Sequence, residues 1–251
     1  MLYIEQSFDS PAANLVADVM LLEQCEDSGN EILRTWSPNR PAVILGRGND
    51  PSTNVDLAAC MRDRISVLRR ESGGGTVLLG PGCLCYSLVM RIESDPDLVG
   101  AAGANAFFLR KLSEAFGREV SVAGESDLVV GKRKIAGHAQ RRKQRSVLFH
   151  GSLLVSMDLE LIAHYLPIPA RRPDYREGRR HLDFLQNRPW NMAEARKELR
   201  KVFNVQYSAT ELSEEAVLNR AAQIYSDPHW GVNMPYATKL QQGGSKAASE
   251  E

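Results

Sequence analysis

Three consecutive glycines between two strand-like runs limit the fold more than any other feature of this chain. The run ISVLRR ends at Arg70, then Gly73, Gly74 and Gly75 follow, and an apolar run resumes at Val77. Glycine lacks a Cβ atom, so a ligand can lie against such a main chain and meet its N–H groups. The two arginines before the turn suit a carboxylate or a phosphate. We therefore expect an anion-binding turn here, with a flexible surface loop and a solvated strand end as the alternatives.

The elements around this turn predict an α+β fold. Helical spacing of apolar residues indicates helices over residues 11–26, 55–63, 98–117, 158–166, 193–203 and 213–225. Strand-like runs occupy residues 31–36, 41–46, 65–70, 83–91, 119–124, 127–130, 133–142 and 146–157. Strands fill the middle and helices flank it without strict alternation, which indicates helices packed on a mixed or antiparallel sheet. Residues 236–251 are small and polar, which predicts a disordered tail after one domain over residues 1–235.

Composition excludes several classes of function. The chain has 31 basic and 31 acidic residues, and this balance argues against a general nucleic-acid or membrane-surface role. No apolar run approaches the ~20 residues that span a bilayer, and the first residues do not form a secretory signal. Cysteines without CxxC spacing favour a reducing cytoplasm. Basic residues cluster in residues 132–145, which favours a small anionic ligand over a polyanion.

The sequence does not contain either of the two common nucleotide-binding loops. The nearest approach to a phosphate-binding P-loop runs from Gly124 to Gly131 and Lys132, but this interval is too long, and Arg133 stands where Ser or Thr is needed. No GxGxxG opens a helix after a strand. The sequence therefore argues against both classical nucleotide-binding folds.

A hairpin that contains lysine is the second candidate for the site. Lys134 stands in the run GKRKIAG, between Gly131 and three residues that are expected to be buried, Ile135, Ala136 and Gly137. One face of this strand is therefore expected to meet the ligand. Ordinary surface charge on a hairpin is the alternative.

Other polar residues leave alternatives open. Asp127 begins the run DLVV, where it is either an edge residue or a carboxylate that holds Mg²⁺ near phosphates. His150, before Gly151, is either a functional or a structural histidine. Cys83 and Cys85 share one strand face, where buried thiols are the simpler interpretation and a nucleophile would need His150 nearby. The arginine-rich connector over residues 170–190 is either a solvated face or a mobile lid for an anion.

Three motifs together resemble one known family. RRESGGGTV, GESDLVVGKRKIAGHAQRR and LFHGSLLV, in this order and spacing, resemble lipoate–protein ligase A and its relatives among the biotin and lipoate ligases and octanoyltransferases. RTWSPNRPAVILGRGND and YSDPHW fit the same pattern, so the resemblance covers roughly residues 30–230. It implies a catalytic domain with a mixed, mainly antiparallel sheet flanked by helices, and an apolar slot for lipoate.

The resemblance also implies a reaction and its residues. In the family the lipoate carboxylate attacks the α-phosphorus of ATP, with Mg²⁺ on the phosphates, and a lysine of a lipoyl-domain protein then accepts the acyl group. The motif lysine falls on Lys134, the arginine of the glycine loop on Arg70, and the expected Mg²⁺ contact on Asp127. The other expected substrate- and ATP-binding residues are Gly73, Gly74, Gly75, Val77, Ala136, Gly137, His150 and Gly151.

The sequence departs from the family at three points. Leu79 and Gly80 stand where the ligases show His-Asp, which removes polar contacts from the pocket. The chain lacks the C-terminal domain of the long ligases, so it is expected to be a short form, to need a separate accessory subunit or to use a different acceptor. The cysteine of the octanoyltransferases is missing from residues 123–126. An ATP-dependent ligase is the leading hypothesis, and an ATP-independent octanoyl or lipoyl transferase and a non-catalytic lipoate-binding module are the alternatives.

Overall fold

Two β-sheets carry the described part of the chain, which is residues 1–235 of a computed structural model. The twelve strands of these residues, β1 to β12 in chain order, are Leu2–Glu5, Ile32–Trp36, Ala42–Leu45, Ser66–Arg69, Val77–Leu79, Cys83–Arg91, Val120–Ala123, Asp127–Val130, Arg133–Arg142, Ser146–Leu154, Tyr207–Ser208 and Gly231–Asn233. The tail predicted for residues 236–251 lies outside the described residues, and one domain over residues 1–235 stays a prediction.

Eight helices flank these sheets. In the same residues, α1 to α8 are Pro11–Ser28, Pro51–Asn54, Leu57–Arg62, Ala101–Phe116, Leu159–Tyr165, His181–Phe184, Met192–Val202 and Glu214–Tyr225. Short 3₁₀ turns cover Ile92–Ser94, Pro96–Leu98 and Asp174–Arg176. None of the helices within residues 1–235 is both long and apolar enough to cross a membrane.

The predicted α+β fold with a mixed, mainly antiparallel sheet is confirmed. The larger sheet has the order β11-β1-β2-β6-β10-β9-β8-β7. Its strands are antiparallel neighbours except that β1 runs parallel to both β2 and β11. The sequence did not predict a second sheet. The strands β3, β4 and β5 are not part of the large sheet and form a smaller one with β12, in the order β12-β4-β3-β5. The three glycines therefore connect two strands of the small sheet.

Helices cover both faces of the large sheet. On β10, Leu148 belongs to an apolar cluster with Leu21 and Leu22 of α1. The next residue, Phe149, faces the other way and stacks on Phe108 of α4 with ring centroids 4.6 Å apart. Because both faces are covered, β6 is buried along almost its whole length, whereas the sequence predicted only partial burial.

Local sequence fixes both ends of α1, the helix that lies over the site. The Ser10 side chain accepts a hydrogen bond from the backbone N–H of Ala13, and Pro11 opens the first turn. Gly29 ends the helix with a left-handed φ of 78°. The helix between these caps presents Asp18, one of its buried residues, to the central strands.

Candidate active site

Lys134 and Asp127 form an ion pair at the hairpin of β8 and β9. The Lys134 Nζ atom lies 2.7 Å from the Asp127 Oδ1 atom, and the two side chains are 23% and 10% exposed. The hairpin pairs Asp127 with Gly137, so both charged groups meet beside that glycine. Lys132, two residues before Lys134, is 79% exposed and lies 3.8 Å from Glu177 instead. The structure thus separates one enclosed lysine from its surface neighbours.

Gly137 makes room for the Lys134 side chain. A Cβ atom added to Gly137 would stand 2.6 Å from Nζ and 2.8 Å from Cε of Lys134. These distances are far below ordinary contact, so the lysine side chain lies directly across the backbone of this residue. Ala136, the neighbour that was also predicted to bind substrate, is buried in the apolar core on the α4 side.

The glycine loop folds over β9 close to this pair. Gly74 has φ +84°, and a Cβ atom there would lie 3.5 Å from the Cβ atom of Ala139. The carbonyl oxygen of Gly74 also lies against Gly46, where a Cβ atom would be only 2.2 Å away, so Gly46 is a packing requirement that sequence reasoning missed. Gly73 and Gly75 are different, because an added Cβ atom would meet nothing within 4 Å. The space beside them is open, as a ligand-facing loop requires.

Arg70 does not lie at the mouth of the loop, where the sequence predicted it. It is 8% exposed, and its guanidinium donates hydrogen bonds to the carbonyl oxygens of Ile44, Gly73 and Gly75, at 3.2, 2.6 and 2.9 Å. Burial lowers its pKa to about 10, which leaves it charged at neutral pH. Arg69 likewise donates to backbone carbonyls, including that of Asn49 at 2.7 Å. Arg70 therefore holds the glycine loop in shape from inside the protein, whereas Arg69 holds the neighbouring turn at residues 46–49.

Val77 begins β5 directly after the loop. It pairs with Ile44 of β3 and is partly buried against the apolar core. Val77 therefore lies beside the loop, and its side chain packs against the core.

A buried polar chain links the loop to α1, and sequence reasoning missed most of it. The Ser72 hydroxyl accepts from Arg70 Nε at 2.9 Å and lies 2.7 Å from His150 Nε2. His150 Nδ1 lies 3.6 Å from the Asp18 carboxylate, which in turn accepts from Arg34 Nη1 at 2.7 Å. Burial opposes the charge on Asp18, but Arg34 and His150 outweigh it, so the pKa of Asp18 is lowered. The sequence signal for this chain was that Asp18 and Arg34 stand within otherwise apolar runs.

A cleft opens beside His150. It encloses about 390 Å³ of space, part of it open to solvent, between α1, the loop, β10 and the segment after α8. Its exposed lining is largely apolar, and the charged and polar members are Asp18, Arg70, Glu71, Ser72 and His150; the apolar members include Leu15, Val16, Val19, Leu148, Ile224 and Trp230. Only about one water molecule fits between the side chains as they stand, so a larger ligand would need side chains to move.

Gly151, on β10, leaves room for the ring of His138 on the neighbouring strand β9. A Cβ atom on Gly151 would stand 2.4 Å from His138 Cδ2, so the histidine ring occupies the space beside this glycine. His138 donates from Nδ1 to the Ser126 carbonyl at 2.7 Å and accepts from the Tyr86 hydroxyl at 2.6 Å. Burial lowers its pKa to about 4, so it is neutral at physiological pH. Gly151 therefore has a packing role that explains it without a ligand.

The arginine-rich connector lies on the site and carries a residue that the sequence did not single out. The Tyr175 hydroxyl donates to Asp127 Oδ2 at 2.7 Å. Arg176 is buried, 4% exposed, with its guanidinium 4.7 Å from the centre of the Phe184 ring. The connector is therefore neither wholly solvated nor detached, because this part of it packs against the Lys134 hairpin.

The strand cysteines do not form a nucleophilic site. Cys83 and Cys85 are both buried, and the Cys83 thiol contacts the Met157 sulfur at 3.1 Å. Burial raises the pKa of Cys83 to about 11 and that of Cys85 well above its ordinary value. A thiol held in this way is protonated and shielded, and it lacks the thiolate form that attacks an acyl group.

Solved structures of lipoate–protein ligases share this fold. A bipartite lipoate protein ligase from Thermoplasma acidophilum superposes with a TM-score of 0.73 at 19% identity, covering 93% of this chain and 96% of the other. A putative lipoate protein ligase from T. acidophilum with bound lipoic acid gives 0.69 at 20%, covering 93% and 98%. Lipoate-protein ligase A bound with ATP gives 0.68 at 23%, covering 93% and 97%. The fold is that of lipoate–protein ligases.

The sequence family agrees with this class. The family model described as the lipoyl protein ligase A/B catalytic domain matches residues 10–204. The chain therefore belongs to this family and is an enzyme of the lipoate–protein ligase class. The matched range contains the glycine loop, the Lys134 hairpin, His150 and the connector, whereas α8 and β12 follow it.

Proposed function

We propose that the protein is an ATP-dependent lipoate–protein ligase. In the first step, the lipoate carboxylate attacks the α-phosphorus of ATP and forms lipoyl-adenylate, with pyrophosphate as the leaving group. In the second, the amine of a lysine on a lipoyl-domain protein attacks the acyl carbon, an amide forms and AMP leaves. The observation that carries the proposal is the enclosed Lys134 ammonium, which lies across Gly137 beside an open glycine loop.

The first step needs fixed positive charge. A carboxylate and a phosphate repel each other, and negative charge moves onto the leaving pyrophosphate during the attack. A preorganised ammonium in a partly enclosed site offsets both effects at little reorganisation cost. Arg70 is committed to backbone carbonyls, so we assign this role to Lys134 and a shaping role to Arg70.

We propose that the acyl chain runs from Lys134 towards the cleft, with side chains moving to admit it. Gly137 and Ala139 lie two residues apart on one face of β9, and Ala139 pairs with His150 of β10. The backbone distance from Gly137, which the lysine side chain crosses, to His150 is therefore about 8 Å, close to the length of an extended octanoyl chain. The loop lies above Ala139, and the apolar cleft lies beyond. This path suits lipoate and octanoate alike.

The Asp127 carboxylate already contacts Lys134 through Oδ1 and Tyr175 through Oδ2, so a magnesium ion would have to use the lone pairs that these two contacts leave free. Mg²⁺ is commonly held by one or two carboxylates together with substrate phosphates. Within residues 1–235 there is no group of three or more His, Cys, Asp or Glu side chains that would hold a metal alone. We propose that Asp127 provides one carboxylate contact and that the metal, when bound, neutralises charge on the phosphates.

Relatives with the same fold support the substrates and the acceptor. One was solved with lipoic acid and another with ATP. The bipartite enzyme was described together with its E2 lipoyl domain. We propose lipoate and ATP as the substrates here and a lipoyl domain as the acceptor. The proposal also allows for a separate accessory subunit that takes part in the second step, the transfer to the acceptor.

Replacing Lys134 tests the first step. Purified protein is incubated with lipoate, ATP and Mg²⁺, and both pyrophosphate and lipoyl-adenylate are measured. We expect Lys134→Ala to reduce adenylate formation by about 10²-fold or more, as loss of one preorganised donor does elsewhere. Lys132→Ala, which removes an exposed lysine from the same hairpin, is the matched control and should retain activity.

Each outcome of this experiment separates the candidate functions. Undiminished turnover in Lys134→Ala would contradict the assignment of the lysine. An acyl thioester on a cysteine, formed without ATP, would favour the octanoyl or lipoyl transferase, which the buried thiols argue against. Lipoate binding with neither activity would favour a non-catalytic module.

A further inference from the structure

We propose that Tyr175 is a positioning residue for Lys134 and that it acts through Asp127. The inference rests on the proposed function, in which Lys134 stabilises adenylate formation. The two oxygens of the Asp127 carboxylate have different partners, because Oδ1 lies 2.7 Å from Lys134 Nζ and Oδ2 accepts from the Tyr175 hydroxyl at 2.7 Å. A carboxylate held at one oxygen cannot turn freely, so the hydroxyl fixes where the other oxygen holds the ammonium.

Tyr175 is itself held in place from several sides. Arg179 Nη2 donates to the Tyr175 carbonyl at 2.6 Å, and the Tyr175 ring lies 5.2 Å from that of Phe184. Gly124, with φ +58°, lies beneath the ring, since a Cβ atom there would stand 3.5 Å from Tyr175 Cε1. The hydroxyl is therefore a fixed donor, which is what a positioning residue requires.

The connector is also fastened to the strand that bears the lysine. The backbone N–H of Gln186 donates to the Lys134 carbonyl at 3.0 Å, and Leu185 forms a parallel bridge with Lys134. Arg179 Nη1 reaches the Lys132 carbonyl at 2.8 Å. Tyr175 thus lies in a segment that is attached to the backbone of Lys132 and Lys134, which keeps its hydroxyl close to the lysine.

The hydroxyl is the donor in this contact. The Asp127 carboxylate oxygen accepts, so the bond exists only through the Tyr175 O–H. A phenylalanine keeps the ring and its packing against Phe184 but removes this donor, which separates positioning from packing.

Tyr175→Phe is the test, with Tyr165→Phe as the matched control. Tyr165 also donates from its hydroxyl to an aspartate, Asp63 Oδ2 at 3.2 Å, but on a different part of the protein. Three quantities are measured on the full chain: kcat and KM for adenylate formation, the melting temperature, and the rate at which an amine-specific reagent labels Lys134 relative to Lys132. The labelling ratio reports how firmly the Lys134 ammonium is held.

We expect Tyr175→Phe to lower kcat by about tenfold, as loss of a hydrogen bond to a charged group does, with little change in KM. Labelling of Lys134 should rise against Lys132, and Tyr165→Phe should change neither quantity. Unchanged labelling would overturn the inference, and so would raised labelling with an unchanged kcat, because the hydroxyl would then not serve the reaction. If the wild type forms no adenylate, the proposed function fails, while labelling still decides whether Tyr175 holds Lys134.

Discussion

Adding one methyl group at Gly137 should displace Lys134 without disturbing the fold. In Gly137→Ala the new Cβ atom would stand 2.6 Å from Lys134 Nζ. Contact at the usual 3.5 Å or more requires the ammonium to move by about 1 Å. Misplacement by that distance costs on the order of 100-fold in rate, or about 2.7 kcal/mol of transition-state stabilisation. The contacted atoms are the end of a flexible side chain, so the backbone has no reason to shift.

The stability of this variant should barely change. Gly137 has no left-handed φ, so alanine is compatible there and gains about 0.4–1 kcal/mol from the unfolded chain. Weakening the partly exposed pair with Asp127 costs about 1 kcal/mol or less. The net change in the free energy of unfolding is therefore within about 1 kcal/mol, or a few degrees in melting temperature.

The assay is kcat for adenylate formation alongside thermal unfolding. Gly100→Ala is the control, because an added Cβ atom there meets nothing within 4 Å, and it should behave as wild type in both measurements. A Gly137→Ala variant with wild-type kcat would refute the reasoning. A large fall in melting temperature would also refute it, because the backbone rather than Lys134 would then have absorbed the clash.

Two further predictions concern a buried histidine and the strand thiols. Burial lowers the pKa of His138 from 6.5 to about 4, so the unfolded chain takes up the proton first and stability falls as pH drops through that window. In urea unfolding between pH 6.5 and 4, His138→Gln should lose on the order of 3 kcal/mol of this pH dependence, and an unchanged slope would contradict the assigned environment. Replacing Cys83 and Cys85 together by alanine should leave adenylate formation and acyl transfer within about twofold, since both thiols are buried and protonated. Loss of transfer in a variant that still forms adenylate would reopen the thiol route.

Local patterns were enough for most of the strands and for the lysine hairpin, but β1, β11 and β12 were not predicted. The run at residues 83–91 was predicted as a strand, and β6 has these bounds. The residues after Lys134 indicated close packing, and the lysine side chain occupies the space where a Cβ atom of residue 137 would stand. Both predictions depend on residues close together in the chain, where periodicity and the missing Cβ atom of glycine act directly.

Local patterns could not predict contacts between segments that are far apart in the chain. Arg70 was predicted to face the ligand, but the carbonyls that it holds include that of Ile44, 26 residues away in the chain. Tyr175 and Asp127 are 48 residues apart, and nothing in the connector marks one polar residue over its neighbours. In the second sheet, the edge strand β12 pairs with β4, which joins the end of the described chain to its first third.

Transfer of a lipoyl group to an acceptor tests the central claim most directly. A purified lipoyl domain is incubated with the protein, lipoate, ATP and Mg²⁺, and its intact mass is measured, with parallel samples that lack ATP or contain Lys134→Ala. We predict a gain of one lipoyl group on the domain that requires both ATP and Lys134; if transfer appears only when a separate accessory subunit is added, that requirement should still hold. Modification without ATP, or modification by Lys134→Ala at the wild-type rate, would contradict the account.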